Sequence, residues 1–157
     1  MPSLKKYENF PKHDQFIPYL IPDKSEFDTD IERFDYISNM ITEDILGEYG
    51  IIDHVYLEGY SFGSSGSLIF NIAENTALLK YKLFKKQIPF TSIGIKTVKK
   101  YATGSGNANK QLLEDTFESE YEIGLRKMLN QTDKQFNPSS DIIDSYFICY
   151  YGSSLIN

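Results

Sequence analysis

An α/β fold, a mixed sheet flanked by helices, is what the order of segments in this chain predicts. Three observations carry that expectation. The run Ile51-Ile52-Asp53-His54-Val55-Tyr56-Leu57 is apolar and rich in β-branched residues, the pattern of a buried strand, and it ends on the carboxylate of Glu58 before a glycine-rich turn. A capped amphipathic helix precedes it, and a longer helical pattern follows and leads into a second short apolar run at Ile88–Ile93. In an α/β sheet the crevice outside the strand ends is where ligands sit, so Glu58 is a candidate functional residue. The competing reading is an edge acid leaving a strand for solvent.

With 157 residues the chain is expected to form a single domain with a real core, spanning 1–157. Apolar residues make up 41%, with 12 Tyr and 11 Phe, which excludes wholesale disorder. The single cysteine, Cys149, has no internal partner, and two histidines cannot build a Cys/His zinc site. No segment approaches the roughly 18 apolar residues of a membrane span, and no signal-peptide core is visible. The chain reads as soluble and cytoplasmic, with no membrane partner.

Taken in order, Met1–Thr29 is broken by Pro2, Pro11, Pro18 and Pro22, and Phe16–Ile21 is at best an edge strand. Thr29-Asp30-Ile31-Glu32 is a capping box, with Thr29 the N-cap and Glu32 reaching back. Ile31, Phe34, Ile37, Met40, Ile41 and Ile45 then recur at helical spacing, and Gly47 can close that helix. Beyond Gly63-Ser64-Ser65-Gly66 a helix is expected over about 68–86, burying Ile69, Ile72, Ala73, Thr76, Leu79, Tyr81 and Leu83. Gly104-Ser105-Gly106 separates two helical pieces, the second expected over 107–129. Asn137-Pro138-Ser139-Ser140 introduces a last helix opening Asp141-Ile142-Ile143-Asp144.

Net charge is −6, but it is unevenly placed. Between Glu74 and Glu114 there is no acid, and Lys80, Lys82, Lys85, Lys86, Lys96, Lys99, Lys100 and Lys110 give that stretch +8 against −14 for the remainder. One basic face on an acidic body suits a phosphate-bearing partner; a solvated lysine-rich helix face is the alternative. Backbone amides of the Gly-Ser-Gly turn, at a helix start, are candidates to hold a phosphate. The spacing is not that of a Walker A loop. Asp141 and Asp144, three apart, share a helical face with Cβ atoms about 5–6 Å apart. Asp141 suits the helix dipole, whereas Asp144 sits among apolar and aromatic neighbours, where paired like charges are costly without a cation.

A strand-end Glu, the stretch Val98-Lys99 through Thr103-Gly104-Ser105-Gly106-Asn107-Ala108-Asn109-Lys110-Gln111, and an Asp-x-x-Asp opening the last helix occur here in that order. Together they resemble the RuvC family of Holliday-junction resolvases, of RNase H-like fold and nearest its phage and viral members, over roughly 31–151. The resemblance implies a structure-specific endonuclease in DNA recombination and repair. It cuts branched DNA such as a four-way junction with two Mg²⁺ (or Mn²⁺) ions, and works as a homodimer in the cytoplasm, a host's if viral. It implies that Glu58, Asp141 and Asp144 are metal ligands and that Lys110 acts beside them in catalysis. Lys96, Lys99, Lys100, Gly104, Ser105, Gly106 and Asn107 would contact DNA. One ion would prepare a water, the other steady the leaving oxygen, and lysine would offset charge in the transition state. The helix with Asn71, Glu74 and Asn75, together with Phe62, is the expected dimer contact.

The family's first carboxylate lies on a first strand for which this chain offers no equivalent. Asp14, before Phe16-Ile17, stands in a different context. The sheet is therefore expected to lack its first strand or strands, the chain starting inside the fold. That makes a catalytically incomplete branched-DNA-binding module the alternative to a nuclease. Gly59-Tyr60-Ser61-Phe62-Gly63 also fits the nucleophile elbow G-x-S-x-G, but His13 and His54 both lie upstream of Ser61, the wrong order for that triad.

Overall fold

The computed structural model describes residues 5–6, 17–60, 67–122, 124–132 and 134–156. Asp14, Phe16, Ser61, Phe62 and the Gly63–Gly66 turn lie outside these residues. In chain order the elements are β1 (Lys5–Lys6), β2 (Tyr19–Leu20), α1 (Asp30–Asn39), a π-helical continuation (Met40–Ile45), α2 (Leu46–Tyr49), β3 (Val55–Glu58), α3 (Ser67–Lys85), β4 (Phe90–Ile93), α4 (Ile95–Thr103), α5 (Lys110–Tyr121), α6 (Leu125–Met128) and α7 (Ser139–Ser154). The fold is mixed α/β. Among the described residues β1 pairs only with β2, antiparallel with Lys5 opposite Leu20, and β3 only with β4. The β3–β4 bonds run in step, Val55 N to Pro89 O at 2.8 Å and Gly59 N to Ile93 O at 2.7 Å, so these strands are parallel. So short a sheet agrees with the expected incomplete RNase H-like one.

Contacts group the chain into two compact units. The first comprises chiefly Tyr19–Val55 and Tyr60–Thr91. Thr29 caps α1 by accepting from Glu32 N at 3.2 Å, while the Glu32 carboxylate reaches one residue further back than expected, to Asp28 N at 3.1 Å. α1 packs on α3, with Phe34, Ile37, Met40 and Leu83 buried. The helix runs past Gly47, which has helical neighbours on both sides, and stops at Gly50, whose φ of 75° favours glycine. Ile51 is 92% exposed and Ile52 lies outside the strand, which begins only at Val55, where pairing with Pro89 starts. On α3, Leu83 is buried as expected, but Ile72 and Tyr81 are exposed. The outward face runs through Phe70, Glu74, Ala77, Tyr81 and Phe84, spaced by threes and fours. Lys82 is bound to Asp35 at 2.6 Å and Lys86 to Glu43 at 2.8 Å, so two of the eight clustered lysines are neutralised within this unit.

The second unit holds Tyr56–Gly59 and Ser92–Asn157. Its core gathers Ile93, Val98, Leu113, Phe117, Ile143 and Phe147. α4 is closed by Gly104 in the left-handed region, φ 79°, whose N–H donates to Lys100 O at 2.9 Å. α5 starts at Lys110 rather than at residue 107, because Asn109 caps it by accepting from Leu112 N at 2.9 Å. It ends at Glu122, φ 56°, so the single helix expected over 107–129 is two. Between α5 and α6 a buried ion pair joins Glu114 to Arg126. The Arg126 guanidinium also lies 4.2 Å from the Phe136 ring centroid.

No helix among the described residues is long and apolar enough to cross a membrane.

Candidate nucleic-acid and carboxylate site

The metal-ligand and DNA-contact candidates read from the sequence all fall in the second unit. Glu58 ends β3 and is reached by solvent; Asp144, one turn into α7, is half-buried, and Asp141 in its first turn is exposed. Glu58 is held above the usual carboxylate range first by burial, then by the negative charges of Asp144 and Asp141, with Lys99 opposing. Burial likewise raises Asp144; Lys99 and Lys110 oppose that rise and Asp141 adds to it. The strand end, the start of α7 and two lysines thus bear on one small region. Repulsion and desolvation there are only partly offset.

The lysines have structural attachments. Lys99 donates to Ala108 O at 2.8 Å and so ties α4 to the far side of the Gly-Ser-Gly turn. Lys110 donates to Asn137 Oδ1 at 3.0 Å and Ser140 Oγ at 3.2 Å, tying the start of α5 to the start of α7. Lys96 and Lys100 lie exposed on α4. Ser105 and Asn107 are exposed as well, but the turn's amides are largely directed inward: Gly104 N to Lys100 O, Ser105 N to Thr103 Oγ1 and Ala108 N to Ser105 O. Gly106 makes a close approach: a Cβ there would sit 3.2 Å from Lys96 O, tight enough that the backbone would have to give by a few tenths of an ångström. The loop is therefore a braced turn that presents lysines, more than an open cradle of N–H groups.

Two divalent ions need several hard oxygens converging from different elements. Among the described residues no three His, Cys, Asp or Glu side chains are arranged to hold a metal ion. The described donors, Glu58, Asp141 and Asp144, do not by themselves fit a two-ion site. His54 bonds Thr91 Oγ1 through Nε2 at 2.9 Å.

Sequence reasoning missed Asn137 and Ser140, which hold Lys110, and the Glu114–Arg126 pair, which closes α5 on α6. Arg126 is one of two arginines in the chain and lies among apolar residues, a signal that a buried partner was needed.

No family model matches the chain, and no curated protein matches it. Among solved structures it resembles Thermus thermophilus RuvC, with TM-score 0.61 and 15% identity over 89% of this chain and 78% of that one. It also resembles T. thermophilus RuvC in complex with Holliday junction substrate, with TM-score 0.58 and 13% identity over 89% and 79%. At these identities the likeness shows the fold alone, a mixed α/β fold similar to that of T. thermophilus RuvC.

Proposed function

We propose that this chain binds branched DNA on the α4 face of its second unit, and that its carboxylates form an incomplete metal site, so that as it stands it binds rather than cuts. The observation that carries this reading is the arrangement of Lys96 and Lys100 exposed on α4, with Lys99 and Lys110 beside the raised carboxylates of Glu58 and Asp144, in a fold shared with a protein solved on a Holliday junction. The lysines supply the sequence-independent attraction to phosphate. No three described carboxylate or imidazole groups converge to hold a cation.

A second reading, a metal-dependent endonuclease of branched DNA, is favoured by one observation: Asp144 and Asp141 both press their charge on Glu58, as ligands of a shared cation would. A four-way junction incubated with the protein in Mg²⁺ and in EDTA separates the two. A binding module retards the junction under both conditions and leaves it intact; cleavage in Mg²⁺ alone establishes the nuclease.

A homodimer through α3 belongs to the same proposal. Asn71 is used within the chain, donating to Asp30 Oδ2 at 3.0 Å, so the contact would be the outward stripe of Phe70, Ala77, Tyr81 and Phe84. Phe70 and Phe84 lie seven residues either side of Ala77. An antiparallel two-fold pairing therefore sets Phe70 against the partner subunit's Phe84. Sedimentation of the wild type and of Phe84→Glu tests it: a dimer that the substitution splits supports the pairing, a wild-type monomer on and off DNA removes it.

A further inference from the structure

Lys110, at the start of α5, is held by neutral oxygens. Its ammonium donates to Asn137 Oδ1 at 3.0 Å and to Ser140 Oγ at 3.2 Å, and the Ser140 hydroxyl donates in turn to Asn137 Oδ1 at 2.7 Å. The three groups close a triangle in which each of these hydrogens has an acceptor. Asn137 is fixed from behind: Gln131 Nε2 donates to its carbonyl oxygen at 2.5 Å, and Gln131 Oε1 accepts from Ser139 N at 3.2 Å. Ser140 is buried, while Lys110 itself is exposed to solvent. A lysine tip is ordinarily among the most mobile groups on a surface; this one is ordered before anything binds, so little side-chain entropy is left to lose when an anion meets it.

The groups that hold the ammonium leave its charge intact. Lys82 and Lys86 end on the carboxylates of Asp35 and Glu43, which neutralise them, whereas among the described residues no carboxylate lies within ion-pair distance of Lys110. A carboxylate in place of the Asn137 amide would tie α5 to α7 more firmly. The amide instead holds the cation without cancelling it. An ammonium carries three N–H groups, and two are taken here, which leaves one donor and a full positive charge for an anion. We propose that Asn137, with Ser140, is a positioning residue for DNA binding: it holds the Lys110 ammonium so that the remaining N–H donates to a phosphate of branched DNA. This rests on the DNA-binding reading above and adds to it which neutral side chains set the place of a phosphate contact.

The test uses the full chain and a four-way junction, with dissociation constants measured across a salt series for single and double variants. Lys110→Ala lowers the log–log salt slope by about 0.9, the value of one phosphate contact. Asn137→Ala weakens binding by about 3- to 10-fold on the wild-type background and by less than about twofold on Lys110→Ala, because it acts only through that ammonium. Ser140→Ala shows the same dependence with a smaller loss. Asn137→Asp separates position from stability. Its carboxylate keeps α5 tied to α7, so it melts at or above the wild type, yet it pairs with Lys110 and binds the junction more weakly. An Asn137→Ala protein that binds as the wild type does, or that loses as much on the Lys110→Ala background, overturns the positioning role and leaves the DNA-binding reading standing. Failure of the wild type to bind the junction overturns both.

Discussion

Lys99 Nζ lies 2.8 Å from Ala108 O, so one side chain both clasps the Gly-Ser-Gly turn and offsets the charge of Glu58 and Asp144. Lys100, the next residue, is exposed on the helix. The two lysines should therefore fail differently. Lys99→Ala leaves a carbonyl without its charged donor and should destabilise the fold by about 1.5–3 kcal/mol. Lys100→Ala should stay within about 0.5 kcal/mol. On DNA both should flatten the salt dependence, by about 0.9 in the log–log slope for each phosphate that is no longer neutralised. Thermal melts with salt titrations check this, and equal melting temperatures for the two variants would contradict the clasp.

Glu114 and Arg126 form a pair that the core closes over, with side chains 6% and 12% exposed. Glu114 is flanked by Leu113 and Phe117 in the core, and Arg126 lies over Phe136 and also donates to Gln111 Oε1 at 3.1 Å. Removing one partner strands the other charge in a low dielectric. Glu114→Ala should cost about 3–5 kcal/mol, and Glu114→Ala with Arg126→Met distinctly less than the sum of the two single substitutions. Urea denaturation of the four species measures it; additive effects would mean the pair is solvated.

Gly152 and Gly47 should respond to alanine with opposite signs. A Cβ on Gly152, inside α7, would sit 2.6 Å from Cε1 of the Tyr56 ring, whereas one on Gly47, in α2, would meet nothing within 4 Å. Both positions are helical, where alanine gains about 1 kcal/mol over glycine. Gly47→Ala should show that gain. Gly152→Ala should instead lose about 1–3 kcal/mol, because Tyr56 cannot move without disturbing β3. Two melting curves decide it.

How much was legible follows from which forces are local. The Thr29 cap, the helical repeat of Phe34 and Ile37, and the placing of Asp141 and Asp144 on one helical face all follow from spacing within a few residues, and the structure has them. Ile51-Ile52 misled because two apolar β-branched residues look like a strand whether or not a neighbour pairs with them. Pairing with β4 begins at Val55, a decision made 34 residues away at Pro89. Tyr81 on α3 satisfies the helical repeat, yet it faces outward, since which side of α3 meets α1 depends on tertiary packing. The break at Glu122 needs a positive φ in a residue with no special preference for it, and nothing in Tyr121-Glu122-Ile123 announces it. Of the candidate site, Glu58, Lys99, Lys110 and Asp144 were readable as a motif. Their attachments to Ala108, Asn137 and Ser140 were not, because hydrogen bonds between distant segments leave no periodic trace.

Keeping Glu58 and Asp144 together costs the fold stability. Both are raised by burial, and Asp144 and Asp141 repel Glu58, so at neutral pH the ionised cluster works against folding. Glu58→Gln removes one member of the repulsion while keeping its shape. In EDTA at pH 7 it should therefore melt above the wild type, by a margin that solvent screening at this exposed position keeps small. Mg²⁺ supplies the contrast. A complete site would stabilise the wild type by about 2.7 kcal/mol at a hundredfold excess over Kd and lose that gain in Glu58→Gln. The incomplete site should give the wild type only a small Mg²⁺ shift, with Glu58→Gln the more stable protein throughout. A Mg²⁺ gain of the full size in the wild type, abolished in the variant, would move the assignment from a DNA-binding module to a metal-dependent nuclease.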